Sequence, residues 1–85
     1  MNVTIYGKEA CAFCKRAKDL CEAKGIEHNY IDFVETGMTK ADLEAIVGKP
    51  VNTVPQIFVD GVHIGGYVDL AGLLAKQEVA AKAAE

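Results

Sequence analysis

The residues best suited to chemistry are Cys11 and Cys14, separated by Ala12 and Phe13, just after the apolar run Val3-Thr4-Ile5-Tyr6 and at the head of a helix-forming stretch. A CxxC in that setting reads as a redox dithiol. Two thiols in the first turn of a helix lie close enough to bridge, and the positive end of the helix favours the thiolate of the first. Cys11 is therefore the expected nucleophile and Cys14 its partner. The same spacing also serves as half of a zinc site or as a coincidental pair. Zinc needs two more ligands at matching spacing, and only Cys21, His28 and His63 remain, irregularly placed. No metal is expected.

The surroundings of the dithiol are basic. Lys8, Lys15, Arg16 and Lys18 stand against Glu9 alone, a local charge of +3 in a chain whose net charge is −3. Arg16 and Lys18 equally suit an ordinary solvated helix face. Lys8 lies three residues before Cys11 in the loop that feeds it, a place to stabilise a thiolate or an anionic ligand. The acidic balance of the whole chain argues against nucleic acid or an anionic membrane surface as partner.

With 85 residues and 51% hydrophobic content, the chain reads as a single domain, residues 1–85, whose core needs no disulfide framework. Its three cysteines form an odd set, which fits a reducing compartment better than a secreted scaffold. The segment Met1–Gly7 has neither the basic region of a signal peptide nor the apolar length of a membrane span, so a cytoplasmic location is expected.

The elements that must position the dithiol follow from periodicity. Residues 2–6 read as a buried strand closed by Gly7. Residues 12–24 carry Cys14, Ala17, Leu20, Cys21 and Lys24 at helical spacing, with Gly25 as the stop. Residues 27–33 suit a second strand, and the strand-helix-strand order implies a right-handed parallel crossover. Thr39 is the expected N-cap of a second helix, with Asp42 completing an acidic form of the capping box and Leu43, Ile46 and Val47 as its apolar stripe. Residues 56–59 and 62–64 flank Asp60-Gly61, a hairpin signal. After Gly65-Gly66, a last helix from 67 to about 82 is carried by Leu70, Leu73, Leu74 and Val79, with an alanine-rich end expected to fray. The order βαβ, α, ββα describes an α/β domain of thioredoxin-like fold: a four-stranded mixed sheet with helices on both faces.

Three motifs in this order, Cys11-Ala12-Phe13-Cys14, Thr53-Val54-Pro55 and Gly65-Gly66-Tyr67-Val68-Asp69, resemble the glutaredoxin family. Lys49-Pro50-Val51, the run Thr53–Asp60 and His63-Ile64-Gly65-Gly66-Tyr67 extend the resemblance toward the small bacterial dithiol glutaredoxins of the glutaredoxin 1 class. The resemblance implies a glutathione-dependent thiol-disulfide oxidoreductase that acts on protein disulfides and glutathione mixed disulfides. Cys11 would be the nucleophile, Cys14 the resolving thiol, and the two together the redox-active disulfide. It also implies that Pro55 follows a cis peptide bond, although an ordinary edge-strand proline also fits that position. Val54 would then pair through its backbone with the cysteine part of glutathione. The γ-glutamyl carboxylate would be held by the Val68 amide and by Asp69, with Gly66 allowing close approach and Tyr67 walling the groove. Asp69 also suits a simple helix cap. Lys8, Thr53 and Gln56 would meet the other end of the tripeptide, and Phe13 would keep an aromatic contact. Glutathione enters as reducing co-substrate, with no permanently bound cofactor. Clients such as ribonucleotide reductase and a monomeric state are implied as well.

Ala12 and Phe13 depart from the proline and tyrosine commonest in the family's dithiol motif. Alanine restores an amide that proline lacks, and phenylalanine loses the phenol. Loss of the proline keeps open an alternative role, a glutathione-ligated [2Fe-2S] carrier, against which the retained Cys14 argues. A redoxin fed by thioredoxin reductase is a further alternative, opposed by the Gly65–Asp69 segment. Cys21, seven residues after Cys14 on the same helix face, reads as a small buried hydrophobe or, if exposed, a regulatory thiol. His28 and His63 read as structural strand residues.

Overall fold

The computed structural model describes the backbone of residues 1–84 and the side chains of residues 1–76. Seven elements follow in the order β1 (Asn2–Gly7), α1 (Ala12–Ala23), β2 (Glu27–Asp32), α2 (Lys40–Val47), β3 (Gln56–Val59), β4 (Val62–Gly65) and α3 (Tyr67–Ala84). The strands form one mixed sheet in the order β2-β1-β3-β4. β1 runs parallel to β2 and antiparallel to β3, and β3 pairs antiparallel with β4. This is the expected four-stranded architecture with three helices.

Alternation along the strands decides the core. Val3 and Ile5 of β1 and Ile57 of β3 point to one face, where Ala17 and Cys21 of α1 and Leu70 and Leu74 of α3 close over them. All seven are buried, so Ala17 and Cys21 of the stripe expected on α1 and Leu70 and Leu74 of that expected on α3 are packing residues, whereas Lys24 is exposed. Cys21 is a buried free thiol, and burial, then the neighbouring Glu22 charge, push its pKa up. That is the hydrophobic reading of the residue, and the exposure that a regulatory thiol requires is missing. In α2 the stripe is narrower than expected. Leu43 is buried, whereas Ile46 is exposed, and neither belongs to the α1/α3 layer. An eight-residue helix with one fully buried side chain needs its ends fixed, and the Thr39–Asp42 capping box does so.

The boundaries differ by a residue or two. β2 ends at Asp32 because its carboxylate turns back to accept the Val34 and Glu35 amides. α1 closes on Lys24, with Gly25 beyond it at φ 65°. Asp60 and Gly61 take φ of 51° and 83°, the pair of positive values that the tight hairpin turn demands. β4 carries an irregularity opposite Ile57/Phe58, next to Gly65, which redirects the chain into α3. Val79 and the fraying expected of the last residues lie outside the described side chains. Among the described residues no helix is long and apolar enough to cross a membrane.

Candidate functional site

The sheet brings three separate segments to the N-terminal end of α1: the β1–α1 loop, the loop before β3 and the β4–α3 junction. In the first, Cys11 is the N-cap of α1, with extended backbone, and its Sγ accepts the Cys14 N–H at 3.1 Å. A sulfur in the acceptor position of a helix N-cap faces the positive end of the backbone dipole, which favours a thiolate there. Cys11 is partly accessible while Cys14 is buried, so Cys11 is the sulfur open to an incoming group and Cys14 lies behind it. The two form a disulfide, with Cα atoms 5.2 Å apart, inside the range that such a bridge tolerates.

Gly7 makes room for this pair. A Cβ there would stand 2.8 Å from Cys14 Sγ and 2.6 Å from Tyr30 Oη, closer than any side chain can sit. Phe13 projects from the first turn of α1 and is 51% exposed. Arg16 is stacked over its ring at 5.1 Å, and the Tyr67 ring lies 6.1 Å away. The guanidinium is thus committed to an aromatic face and is more than a solvated charge.

The second segment carries the Val54–Pro55 peptide bond, which is cis, as the motif implied. The Val54 carbonyl oxygen lies 3.7 Å from Cys11 Sγ. Gln56 differs from expectation. Its side chain turns inward, donating from Nε2 to the Thr53 carbonyl at 2.7 Å and pairing through Oε1 with His63 Nε2 at 2.6 Å. With 8% of its surface exposed, Gln56 supports the loop and does not face the cleft. The bond to Gln56 assigns the proton of His63 to Nε2. Burial and the Lys49 charge lower the His63 pKa against the opposing pull of Asp69, which favours the neutral ring.

The third segment begins α3. Asp69 Oδ2 accepts the Gly66 N–H at 2.9 Å, so Asp69 caps its own helix, and its carboxylate fills the space where a Cβ on Gly65 would sit. At Gly65 a side chain, not an incoming ligand, takes up the freed room. Gly66 lines the cleft beside Pro55. The first-turn amides of α3, Val68 included, have no acceptor within the helix, and Val68 itself is exposed.

Phe13, Thr53, Val54, Pro55, Gly66, Tyr67, Val68 and Asp69 line one open cleft of about 260 Å³. Every residue expected to contact a tripeptide, apart from Lys8 and Gln56, lies along it. Lys8 lines a neighbouring cleft of about 280 Å³ that shares Thr53 and Val54 with the first. That second cleft adds Lys40, Phe33 and Asn52, none of which sequence reasoning singled out; a lysine at the start of an apolar helix carries no local signal of what it faces. Among the described residues no cluster of three or more His, Cys, Asp or Glu side chains is arranged to hold a metal.

Comparison with known proteins accords with this geometry. The glutaredoxin family model matches residues 3–64. Glutaredoxin 1 of Escherichia coli K12 is 50% identical over 76 residues, covering 84% of this chain and 89% of the relative. The solved structure of reduced Escherichia coli glutaredoxin superposes with a TM-score of 0.78 at 46% identity, covering 89% of this chain and 95% of that one. A buckwheat glutaredoxin, solved as a complex with glutathione, matches with a TM-score of 0.72 at 25% identity, over 92% of this chain and 72% of that one.

Proposed function

The chain belongs to the glutaredoxin family and is a thiol-disulfide oxidoreductase, and from that premise we propose that glutathione is its reducing co-substrate, bound in the cleft between Phe13 and the start of α3. The observation that carries this reading is Cys11 Sγ on the Cys14 amide at the open end of α1, beside the Val54 carbonyl. The Val54 backbone pairs with the cysteine part of the tripeptide, in the manner of an added strand. The γ-glutamyl carboxylate meets the free amides of α3 around Val68. Asp69, whose Oδ2 caps the helix, offers Oδ1 to the ligand's ammonium. Lys8 and Thr53 meet the glycine end, Gly66 and Pro55 admit the ligand backbone, and Tyr67 and Phe13 wall the cleft.

In the reaction, Cys11 thiolate attacks the glutathione sulfur of a mixed disulfide. A Cys11–glutathione disulfide forms, the substrate sulfur leaves as a thiolate and takes a proton. A second glutathione thiolate then attacks the glutathione sulfur, freeing Cys11 and releasing oxidised glutathione. With a protein disulfide, Cys11 first becomes bonded to the client. Cys14 loses its proton and attacks Cys11, the client leaves reduced, and two glutathiones later reduce the Cys11–Cys14 disulfide. No metal or nucleotide enters any step. Client proteins that form disulfides during turnover, a monomeric enzyme and a reducing, cytoplasmic setting fit this chemistry.

The test is glutathione-coupled reduction of a small glutathione mixed disulfide by the wild type, Cys14→Ser and Cys11→Ser. Substantial activity in Cys14→Ser with none in Cys11→Ser is the expected result. An inactive wild type overturns the glutathione reading and moves the function toward cluster carriage or a thioredoxin-type redoxin.

A further inference from the structure

The loop that presents the nucleophile is braced from the sheet by one phenol. The parallel register places Tyr30 of β2 beside Ile5 of β1, so its side chain reaches the loop that follows Gly7. Tyr30 Oη donates to the Lys8 carbonyl at 3.1 Å. The same carbonyl accepts the Cys11 N–H at 3.3 Å, a long contact for a backbone hydrogen bond. Lys8 C=O therefore links two donors, one on a strand of the sheet and the other on the nucleophile itself. The gap left by Gly7 serves both partners, because a Cβ there would meet Tyr30 Oη and Cys14 Sγ together. The Tyr30 ring packs against the core, and Lys18 Nζ sits 5.8 Å from its centroid.

We propose that Tyr30 is a positioning residue for the thiol chemistry: by holding the Lys8 carbonyl it keeps the 8–11 loop in the geometry that seats Cys11 Sγ on the Cys14 amide. Without the hydroxyl, the Lys8 carbonyl keeps, among the described residues, only the long Cys11 N–H contact, and the sulfur spends less time at the helix end that favours its thiolate. The hydroxyl keeps its proton through the neutral range, because burial and then the Asp32 carboxylate raise its pKa. The charged groups around this corner are Lys8 and Glu9 on the loop, Lys18 over the ring, Asp32 at the end of β2 and Glu35 just beyond it. Tyr30→Phe leaves all of them in place.

The proposal rests on Cys11 being the nucleophile, and the test separates the two claims. The reduced full-length wild type and Tyr30→Phe are alkylated with iodoacetamide across pH, with Cys11→Ser as the blank for reaction at the other cysteines. Thermal unfolding and the hydrogen-exchange rate of the Cys11 amide are measured alongside. Tyr30→Phe is expected to raise the apparent pKa of Cys11 by roughly half a unit, a threefold loss of thiolate at pH values below the midpoint. The greater nucleophilicity of the more basic thiolate recovers part of that loss, leaving alkylation about twofold slower. Exchange at Cys11 N–H is expected to quicken. If the midpoint and the exchange rate both match wild type while only the unfolding temperature falls, Tyr30 is purely structural and the proposal is overturned. If the wild type shows no alkylation beyond the Cys11→Ser blank, the nucleophile assignment itself fails and the proposal with it.

Discussion

The N-termini of α1 and α2 solve the same problem with different atoms. At α2, Thr39 Oγ1 accepts the Asp42 N–H at 3.1 Å and Asp42 Oδ2 accepts the Thr39 N–H at 2.9 Å, a closed reciprocal pair of oxygens. At α1 the acceptor is Cys11 sulfur, the first turn has no acidic residue, and nothing reciprocates. Both sites exploit orphan amides and the positive helix end. At α2 that field stabilises the helix, and the Thr39 amide and then its hydroxyl hold the Asp42 carboxylate in its ionised form. At α1 the field is left open for a thiolate, whose charge comes and goes with the reaction. On the proposed mechanism, leaving the α1 terminus without a carboxylate lets a helix cap serve as a nucleophile.

Cys11→Ser is the strongest challenge to this contrast. Serine caps helices well, so the variant is expected to match the unfolding temperature of the reduced wild type while losing all glutathione-coupled activity. A large drop in stability would show that the sulfur cap is structural after all. Gly7→Ala comes next, since its Cβ would collide with Cys14 and Tyr30. Urea unfolding should show a loss of about 1–3 kcal/mol, as for overpacked sites, accompanied by slower turnover.

Thr39→Ala probes the other terminus. It is expected to cost about 1 kcal/mol, lowering the unfolding temperature by about 4–8 °C for a domain of this size and leaving turnover unchanged. Altered turnover in that variant would mean that the two termini are coupled. Asp42→Asn gives the smallest and most specific effect. The Thr39 amide, then the Thr39 hydroxyl, hold the Asp42 carboxyl below its ordinary value of 3.8. A depressed folded-state pKa contributes stability that is complete above 3.8 and lost as pH falls through the lower folded value. Melting curves of the wild type should therefore fall more steeply than those of Asp42→Asn on acidification below that point, with parallel curves counting against the capping role.

Much of the site was legible because it is local. The CxxC spacing, the Thr39–Asp42 box, the Asp60-Gly61 turn and the Asp69 cap each rest on hydrogen bonds or backbone preferences spanning two to four residues, and each is found where the sequence places it. The motif order also indicated which segments would line the cleft. Gln56 was misread as facing a ligand, because one residue of strand register decides whether its amide meets solvent or the Thr53 carbonyl and His63. Ile46 belongs to an apolar stripe by spacing yet is exposed, since among the described residues no neighbouring element covers that side of α2.

What the sequence determined by itself is the chemistry: which sulfur sits at a helix start, which residues cap, and where the chain turns. Tertiary structure alone decided the company those groups keep. Cys11, Val54 and Asp69 are brought to one corner by β1 pairing with β3 and β3 with β4. Tyr30 reaches the Lys8 carbonyl because the parallel β1–β2 register sets it beside Ile5. The reason is physical: capping and turn energies depend on near neighbours along the chain, whereas register and burial depend on the whole sheet closing over one core.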